Sequence, residues 1–393
     1  MREVVIVSAV RTGIGSFQGT LAPLSGPELG AIAVREAVQR AGIRPEEVDE
    51  VFLGNVYQAG ERQAPARQAA LKAGLPVTVP CTTVNKVCAS GLKAVQLAVH
   101  AIQVGDADVV VAGGFESMSN VPYYLLGARR GYRLGHGQLV DGLLYDGLED
   151  AYEGCHMGNA AELCARTLQI SRQEQDAYAI ESYRRALRAH EQGWFDAELL
   201  TVEVPQSRGE PVRFREDEEL KRVNFEKIPQ LKPAFEKDGT VTAANASKIN
   251  DGAAALVLMA AERARSLGLE PLARVVAQAD AAREPLWFTL APVDAIRRVL
   301  QRAGWALEEV DLFEINEAFA VVAIANAREL GIPQEKLNVH GGAVALGHPV
   351  GCSGARILVT LLHALRVHGG RRGVVGICNG GGGASALAVE RPG

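Results

Sequence analysis

At 393 residues, 48% of them hydrophobic, the chain is too long for one compact core and predicts two or three packed units. A net charge of −5 provides no overall basic field, which argues against nucleic acid as the main partner. No run of about eighteen uncharged apolar residues occurs, so no membrane span is expected, and six scattered cysteines (Cys81, Cys88, Cys155, Cys164, Cys352, Cys378) fit neither a disulfide framework nor a zinc knuckle.

The N-terminal stretch MREVVIVSAVRTGIG enters a β-branched strand directly, without the h-region or cleavage site of a secretory leader, and a reducing cytosolic setting is the expectation. Residues 33–49, AVREAVQRAGIRPEEVD, read as an amphipathic helix stopped by Gly42, then a charged turn, then the apolar run EVFLGN. Residues 84–96, VNKVCASGLKAVQ, put Cys88 ahead of a Ser-Gly step that opens a second helix, and the run DADVVVAGG beyond it suits a strand buried on both faces. A thiol at a helix N-terminus is favoured as thiolate, because unpaired amides and the positive end of the helix dipole face it. A lone free cysteine is equally a small buried hydrophobe.

Between ESMSNVPYY and TAANASKINDG lie roughly 120 residues with no counterpart later in the chain. They hold a Gly/Tyr/Leu-rich stretch, a helix opened by Ser171 with Glu174 in a capping-box pattern, and the charged loop RGEPVRFREDEELKR. An insertion of this size at the end of an element usually builds a lid or a binding surface, the alternative being a stabilising excursion with no function of its own.

The opening pattern then returns. Residues 295–311, AIRRVLQRAGWALEEVD, lie over 33–49 without a gap and are identical at 10 of 17 positions, with Gly304 in the place of Gly42. LFEIN mirrors EVFLGN, CSGARILVTLLHALRVHGGRRGVVGICNGG mirrors CASGLKAVQLAVHAIQVGDADVVVAGG, and GGASALAVERP mirrors GAAALVLMAAE. The reading is two similar α/β units packed on each other, each a mixed sheet with helices on both sides.

The second copy adds three candidates. His348 sits in the Gly/Pro-rich loop of NVHGGAVALGHPVGCSGAR, just ahead of the equivalent helix, so pseudo-symmetry brings it toward the centre, where an imidazole can take a thiol's proton or pair with its thiolate. Cys378 in GICNGGGGASA precedes four glycines whose amides can approach a ligand closely and stabilise an oxyanion. That run lacks the context of a dinucleotide fingerprint, and no phosphate-loop motif exists. Asn316, beside Glu317 in EINEAFA, ends a strand, where its amide can orient a water, hydrogen-bond an oxyanion, or simply cap a helix. Cys155 beside His156 has no further ligands at metal spacing, so no metal is expected.

Seven segments in order, NKVCASGLKA, GGFESMSN, HMGNAAE, NASKINDGAAA, NEAFA, GGAVALGHPVGCSGAR and CNGGGGASA, resemble the thiolase family over essentially the whole chain. The likeness is closest to its short-chain branch, the acetyl-CoA acetyltransferases, which interconvert two acetyl-CoA with acetoacetyl-CoA and CoA. The resemblance implies a five-layered αβαβα fold of duplicated mixed-sheet halves with an inserted loop domain. Residues 1–120 plus 248–270 would form the N-terminal half, 121–247 the insertion for CoA binding and tetramerisation, and 271–393 the C-terminal half. It further implies a homotetramer, a dimer of dimers, whose CoA thioesters are substrates and which needs no cofactor; the cytoplasmic expectation rests on the cysteines alone.

By the same resemblance Cys88 is the acylated nucleophile, His348 activates it, and Cys378 is the acid/base that moves the α-proton and the thiol proton. Asn316, through a water, and His348 face the enolate oxygen; the amides of Cys88 and Gly380 face the thioester oxygen. His156, Met157, Phe235, Ala243, Ser247, Ala318 and Phe319 border the pantetheine tunnel. The stretch ELKRVNFEK, with Lys221 and Arg222, is either the cationic mouth for the nucleotide phosphates or an ordinary solvated charged loop. Trp287 and Phe288 lie near the acyl pocket, and Lys248 stands where many relatives have a small residue, with nothing in the sequence to account for it. The alternative enzyme is a broader-chain 3-ketoacyl-CoA thiolase of fatty-acid β-oxidation. Condensing enzymes that use a carrier protein generally pair the cysteine with two histidines, which Cys378 argues against, and the joint presence of Cys88, His348 and Cys378 argues against a silent CoA-ester-binding scaffold.

Overall fold

The fully buried strands of this chain form where apolar residues run almost without interruption, and its helices where apolar residues recur with helical spacing. In the first half, β1 (Val4–Arg11), α1 (Gly26–Ala41), β2 (Glu50–Gly54), α2 (Pro65–Ala73), β3 (Cys81–Val84), α3 (Ser90–Val104) and β4 (Val109–Ser117) follow one another. The insertion supplies α4 (Met157–Thr167) and α5 (Arg172–Glu191), after which β5 (Asn250–Ala260) completes the first sheet. The second half comprises β6 (Ala273–Ala282), α6 (Ala291–Ala303), β7 (Leu312–Ile315), α7 (Ala320–Leu330), α8 (Val350–Val367), β8 (Arg372–Asn379) and β9 (Gly383–Glu390). The structure, a computed structural model, describes residues 1–392.

The two halves share one topology. In the first, β2 runs parallel to β3 and β4, β4 antiparallel to β5, and β5 antiparallel to β1. In the second, β7 runs parallel to β8, β8 antiparallel to β9, and β9 antiparallel to β6. The aligned segments thus become equivalent elements: α1 and α6, β2 and β7, α3 and α8, β4 and β8, β5 and β9. The sheets also touch edge to edge, since Val5 and Ile6 pair with Arg274 and Ala273, so one strand path runs through both halves. Gly42 and Gly304 end α1 and α6 in the left-handed conformation, at φ 71° and 67°.

β1, β4 and β5 are buried at every position, so each face of the first sheet must be covered. α1 and α2 pack on its outer face, while α6, α7 and the insertion helices pack on the outer face of the second sheet. α3 and α8 fill the space between the sheets, which completes five layers, αβαβα. The stretches Val87–Val104 and Val350–Val367, which contain the two central helices, are long and apolar enough to cross a membrane by length and composition, yet 56% and 89% of their residues are buried inside the protein.

The repeated Ser-Gly step explains how these two helices meet. A Cβ on Gly91 would stand 2.8 Å from the Ala355 nitrogen and 2.9 Å from the Gly351 oxygen, and one on Gly354 would stand 2.5 Å from the Leu92 nitrogen. Glycine alone permits backbones to approach so closely. The contact sets the N-terminal ends of α3 and α8 side by side, and with them the turns that carry Cys88 and His348. The insertion is fixed to this core by buried charge: Arg11, at the end of β1, pairs with Glu198 at 2.5 Å and Asp217 at 2.7 Å. Ser171 and Glu174 form the expected capping box at the start of α5.

Candidate active site

Cys88 lies two residues before α3, on a strained turn. Val87 adopts φ 48°, a left-handed conformation that a β-branched residue seldom takes. Ser90 holds the turn, its Oγ accepting from the Lys86 amide at 2.8 Å and donating to the Val87 carbonyl at 2.6 Å, while Asn85 Oδ1 accepts from the Val87 amide at 3.0 Å. Lys86 reaches into the other half. Its ammonium donates to Asn379 Oδ1 (3.2 Å), the Ala384 carbonyl (3.1 Å) and Ser385 Oγ (2.9 Å), and so ties the nucleophile turn to the β8–β9 hairpin.

Cys378 is buried near the end of β8, close enough to Cys88 for the charge of one thiolate to raise the other thiol. The backbone amides of Gly380 and of Cys88 itself face the Cys88 sulfur and pull its thiol down. His348, buried and two residues ahead of α8, is anchored through its amide to Asn250 Oδ1 at 2.9 Å. Its Nδ1 contacts Ser353 Oγ at 2.6 Å, and its Nε2 faces Asn316 Nδ2 at 3.5 Å. Asn316 follows β7 directly, with its own Oδ1 buried and unpartnered.

These groups border a cavity of about 550 Å³. Of the fourteen residues singled out in the sequence, eleven line it: Cys88, His348, Gly380, His156, Met157, Arg222, Phe235, Ala243, Ser247, Ala318 and Phe319. His156 stacks on Phe235 at 4.6 Å, and Phe235 meets Phe319 edge-on at 6.0 Å, so an aromatic wall runs along one side. A Cβ on Gly158 would come within 2.2 Å of the Phe235 ring, which makes glycine necessary behind that wall. Met118 and Ile249, which lie within the segments GGFESMSN and NASKINDGAAA but are not singled out there, also line the cavity, as does Leu148, for which the sequence offers no signal.

Three residues fall outside the lining. Asn316 sits behind it against His348, and Cys378 is buried near enough to Cys88 for their charges to interact. Lys221 differs from the expectation: it is exposed, pairs with Glu216, and leaves Arg222 as the cation of that turn at the cavity. The neighbouring carboxylate captures one of two adjacent cations. Phe288 lines the cavity, whereas Trp287 packs into the outer core of the second half. Ser353 and Lys86 are position-setting residues that the sequence reading missed; Ser353, five residues after His348 in the same segment, was the more discoverable.

The electrostatics also correct one expectation. The helix terminus does not yield a standing thiolate at Cys88, because burial outweighs the two amides and pushes the thiol up to about 11. Burial, aided by the charge of Arg356, pushes His348 down to about 3. The free site therefore holds a neutral thiol and a neutral imidazole. Such a pair can transfer a proton when a ligand arrives, with two amides ready for the negative charge that develops.

Residues 4–262 match the family model described as thiolase, N-terminal domain, and residues 269–391 the one described as thiolase, C-terminal domain. The chain is 55% identical over 391 residues to acetyl-CoA acetyltransferase 2 of Arabidopsis thaliana, covering 99% of this chain and 97% of that protein. It is 54% identical over 392 residues to the mitochondrial acetyl-CoA acetyltransferase of Mus musculus, covering 100% of this chain and 92% of that protein. Among solved structures, the Bacillus anthracis acetyl-CoA acetyltransferase superposes with a TM-score of 0.96 at 45% identity, covering 100% of this chain and 99% of that one. The Acat5 thiolase of Ascaris suum in complex with coenzyme A gives 0.94 at 46% identity, with full coverage of both chains.

Proposed function

The chain belongs to the thiolase family, and from that premise we propose that it works through an acetyl-cysteine on Cys88. Its reaction is that of the acetyl-CoA acetyltransferases: two acetyl-CoA are reversibly converted to acetoacetyl-CoA and CoA. The observation that carries the mechanism is the convergence of Cys88, His348 and Gly380 on one cavity with Cys378 directly behind.

In the first half-reaction His348 Nε2 takes the proton of Cys88, and the sulfur attacks the thioester carbon. The amides of Cys88 and Gly380 hold the oxyanion. The carbon–sulfur bond to CoA breaks, and Cys378, kept protonated by burial, gives its proton to the leaving CoA sulfur. In the second half-reaction the Cys378 thiolate removes an α-proton from a second acetyl-CoA. The enolate oxygen is held by His348 and, through a water, Asn316, and its carbon attacks the acetyl-cysteine. The new carbon–carbon bond forms as the bond to Cys88 breaks, and Cys88 recovers its proton from His348. Every proton is returned, so the side chains suffice and no cofactor is needed.

The apolar cavity, walled by His156, Met157, Phe235, Ala243, Ser247, Ala318 and Phe319, suits a pantetheine arm, and Arg222 at the mouth suits its phosphates. Tyr123, Leu125, Leu126, Leu134 and Leu139 are exposed on one stretch of the insertion. Covering such a surface in a homotetramer fits their chemistry, and sedimentation as a monomer at micromolar concentration would refute that assembly. Six free cysteines suit a cytosolic setting. The relatives themselves include a cytosolic protein of Gibberella zeae and a mitochondrial one of Mus musculus.

A thiolysis assay across acyl chain lengths tests the reading. Acetoacetyl-CoA should be cleaved at least about tenfold more efficiently than a 3-ketoacyl-CoA of long chain. Equal efficiency on both would favour the β-oxidation class.

A further inference from the structure

Two cations with long side chains line the cavity, Arg222 at its exposed mouth and Lys248 further in. Lys248 forms no ion pair among the described residues. Its ammonium instead donates to two backbone carbonyls, Ala246 at 3.0 Å and Val344 at 2.8 Å, and stands 5.2 Å from the centre of the Tyr183 ring, over its face. Carboxylates Glu219 and Glu317 act on it only from a distance.

The two carbonyls belong to separate parts of the site. Ala246 lies in the loop whose Ala243 and Ser247 line the cavity, a loop docked on the second half through the Ser247 amide and the Ala318 carbonyl at 3.0 Å. Val344 lies in the short helical turn Ala343–Leu346, which runs through Gly347 at φ 113° into His348. The Val344 amide is held by Glu317 Oε2 at 3.0 Å, so its residue is gripped by an anion at its nitrogen and by a cation at its oxygen. An ammonium set among carbonyls and a ring face, with no carboxylate touching it, occupies its place at a desolvation cost. Burial duly pushes Lys248 down to about 8 against the pull of Glu219 and Glu317, which leaves it charged at neutral pH.

We propose that Lys248 is a positioning residue, a built-in cation that clamps the Ala246–Ser247 edge of the cavity to the Val344 turn leading into His348. The inference rests on the acyl-CoA reading of the cavity. It assigns the side chain a specific job: with the clamp closed the cavity wall is preformed, and the acyl-CoA arm enters without first ordering its own walls.

The test uses the full-length enzyme. Wild-type turnover of acetyl-CoA is measured first, and its absence would overturn the acyltransferase reading and with it this clamp, whereas the variants below test the clamp alone. In Lys248→Met and Lys248→Ala the KM for acetyl-CoA should rise about tenfold while kcat changes by less than about threefold. Methylammonium, which can donate to both carbonyls, should restore the KM of Lys248→Ala; tetramethylammonium, which cannot donate, should not. An unchanged KM, or equal effects of the two ammonium ions, would overturn the proposal. Should neither variant fold, the wild type reads the same contact through desulfo-CoA, a CoA analogue with no thiol to titrate. Its Kd should weaken at least about threefold from about pH 7 to about pH 9.5 as the ammonium is lost, and a flat profile would overturn the clamp.

Discussion

His348 Nδ1 lies 2.6 Å from Ser353 Oγ, and the same hydroxyl donates to the Pro349 carbonyl at 2.9 Å. With its hydrogen committed to Pro349, the Ser353 oxygen can only accept. Nδ1 therefore carries the imidazole hydrogen, and Nε2 presents a lone pair toward Asn316 and the cavity. Ser353→Ala removes the acceptor that selects this tautomer. We expect kcat to fall by about ten- to a hundredfold, a part of the ~10² to 10⁴ that a general base supplies, with the KM for acetyl-CoA nearly unchanged. Steady-state kinetics decide the point: a loss confined to KM would make Ser353 a packing residue only.

The neutral state of the pair has a pH signature. Because burial raises the Cys88 thiol to about 11 and lowers His348 to about 3, the thiolate fraction climbs with every step in pH toward 11. Inactivation by iodoacetamide should accelerate through about pH 7 to 9, with acetyl-CoA protecting the enzyme. A preformed thiolate–imidazolium pair would instead give a rate independent of pH over that range. Observing such a plateau, or equal labelling of Cys81 and Cys88, would refute the assignment.

The duplication is legible in the sequence because each copy must bury the same faces: the matched 17-residue segments keep Gly42 and Gly304, and the Ser-Gly steps recur where the helices cross. The turn residues around Cys88 and His348 are legible for the same reason, since they open equivalent helices. Long-range ties are not. Nothing local in NKVCAS tells that Lys86 reaches Asn379 and Ser385, nearly three hundred residues away. The state of Cys88 escaped too, because a helix terminus can be read from sequence whereas the depth of burial that opposes it cannot. Likewise Lys221 and Arg222 are equal as letters, and only the position of Glu216 separates them.

That separation predicts a contrast between neighbours. Arg222→Ala should raise the KM for CoA by about fivefold, the effect of losing roughly 1 kcal/mol of phosphate contact, and the effect should shrink as salt rises. Lys221→Ala should leave it within about twofold, since an exposed pair such as Lys221 and Glu216 contributes little. Equal effects of both substitutions would put Lys221 back at the mouth.

Gly91 is the point where the two central helices press together, so it should tolerate no side chain. In Gly91→Ala the new methyl meets backbone atoms of Gly351 and Ala355, which cannot swing aside as a side chain could. We expect a loss of about 1–3 kcal/mol in stability, together with a fall in kcat as the Cys88 and His348 turns part. Denaturant melts and kinetics on the same preparation test this, and wild-type stability in Gly91→Ala would show that the helices can separate at no cost.

Cys378 and Cys88 divide the reaction between them, and substitution should split it into its halves. In Cys378→Ala, Cys88, His348 and the amides of Cys88 and Gly380 remain, so acetyl-CoA should still load an acetyl group onto Cys88, detectable by mass spectrometry. Condensation should fail by at least about 10² to 10⁴, because the remaining base at the cavity, His348, is assigned to the enolate oxygen and not to the α-proton. Loading itself should slow, since the leaving CoA sulfur then draws its proton from His348 or solvent. Cys88→Ala should abolish loading altogether, as the cavity lining offers no second thiol. Near-normal acetoacetyl-CoA synthesis by Cys378→Ala would move the base elsewhere, and the buried thiol behind Cys88 would have to be read as packing.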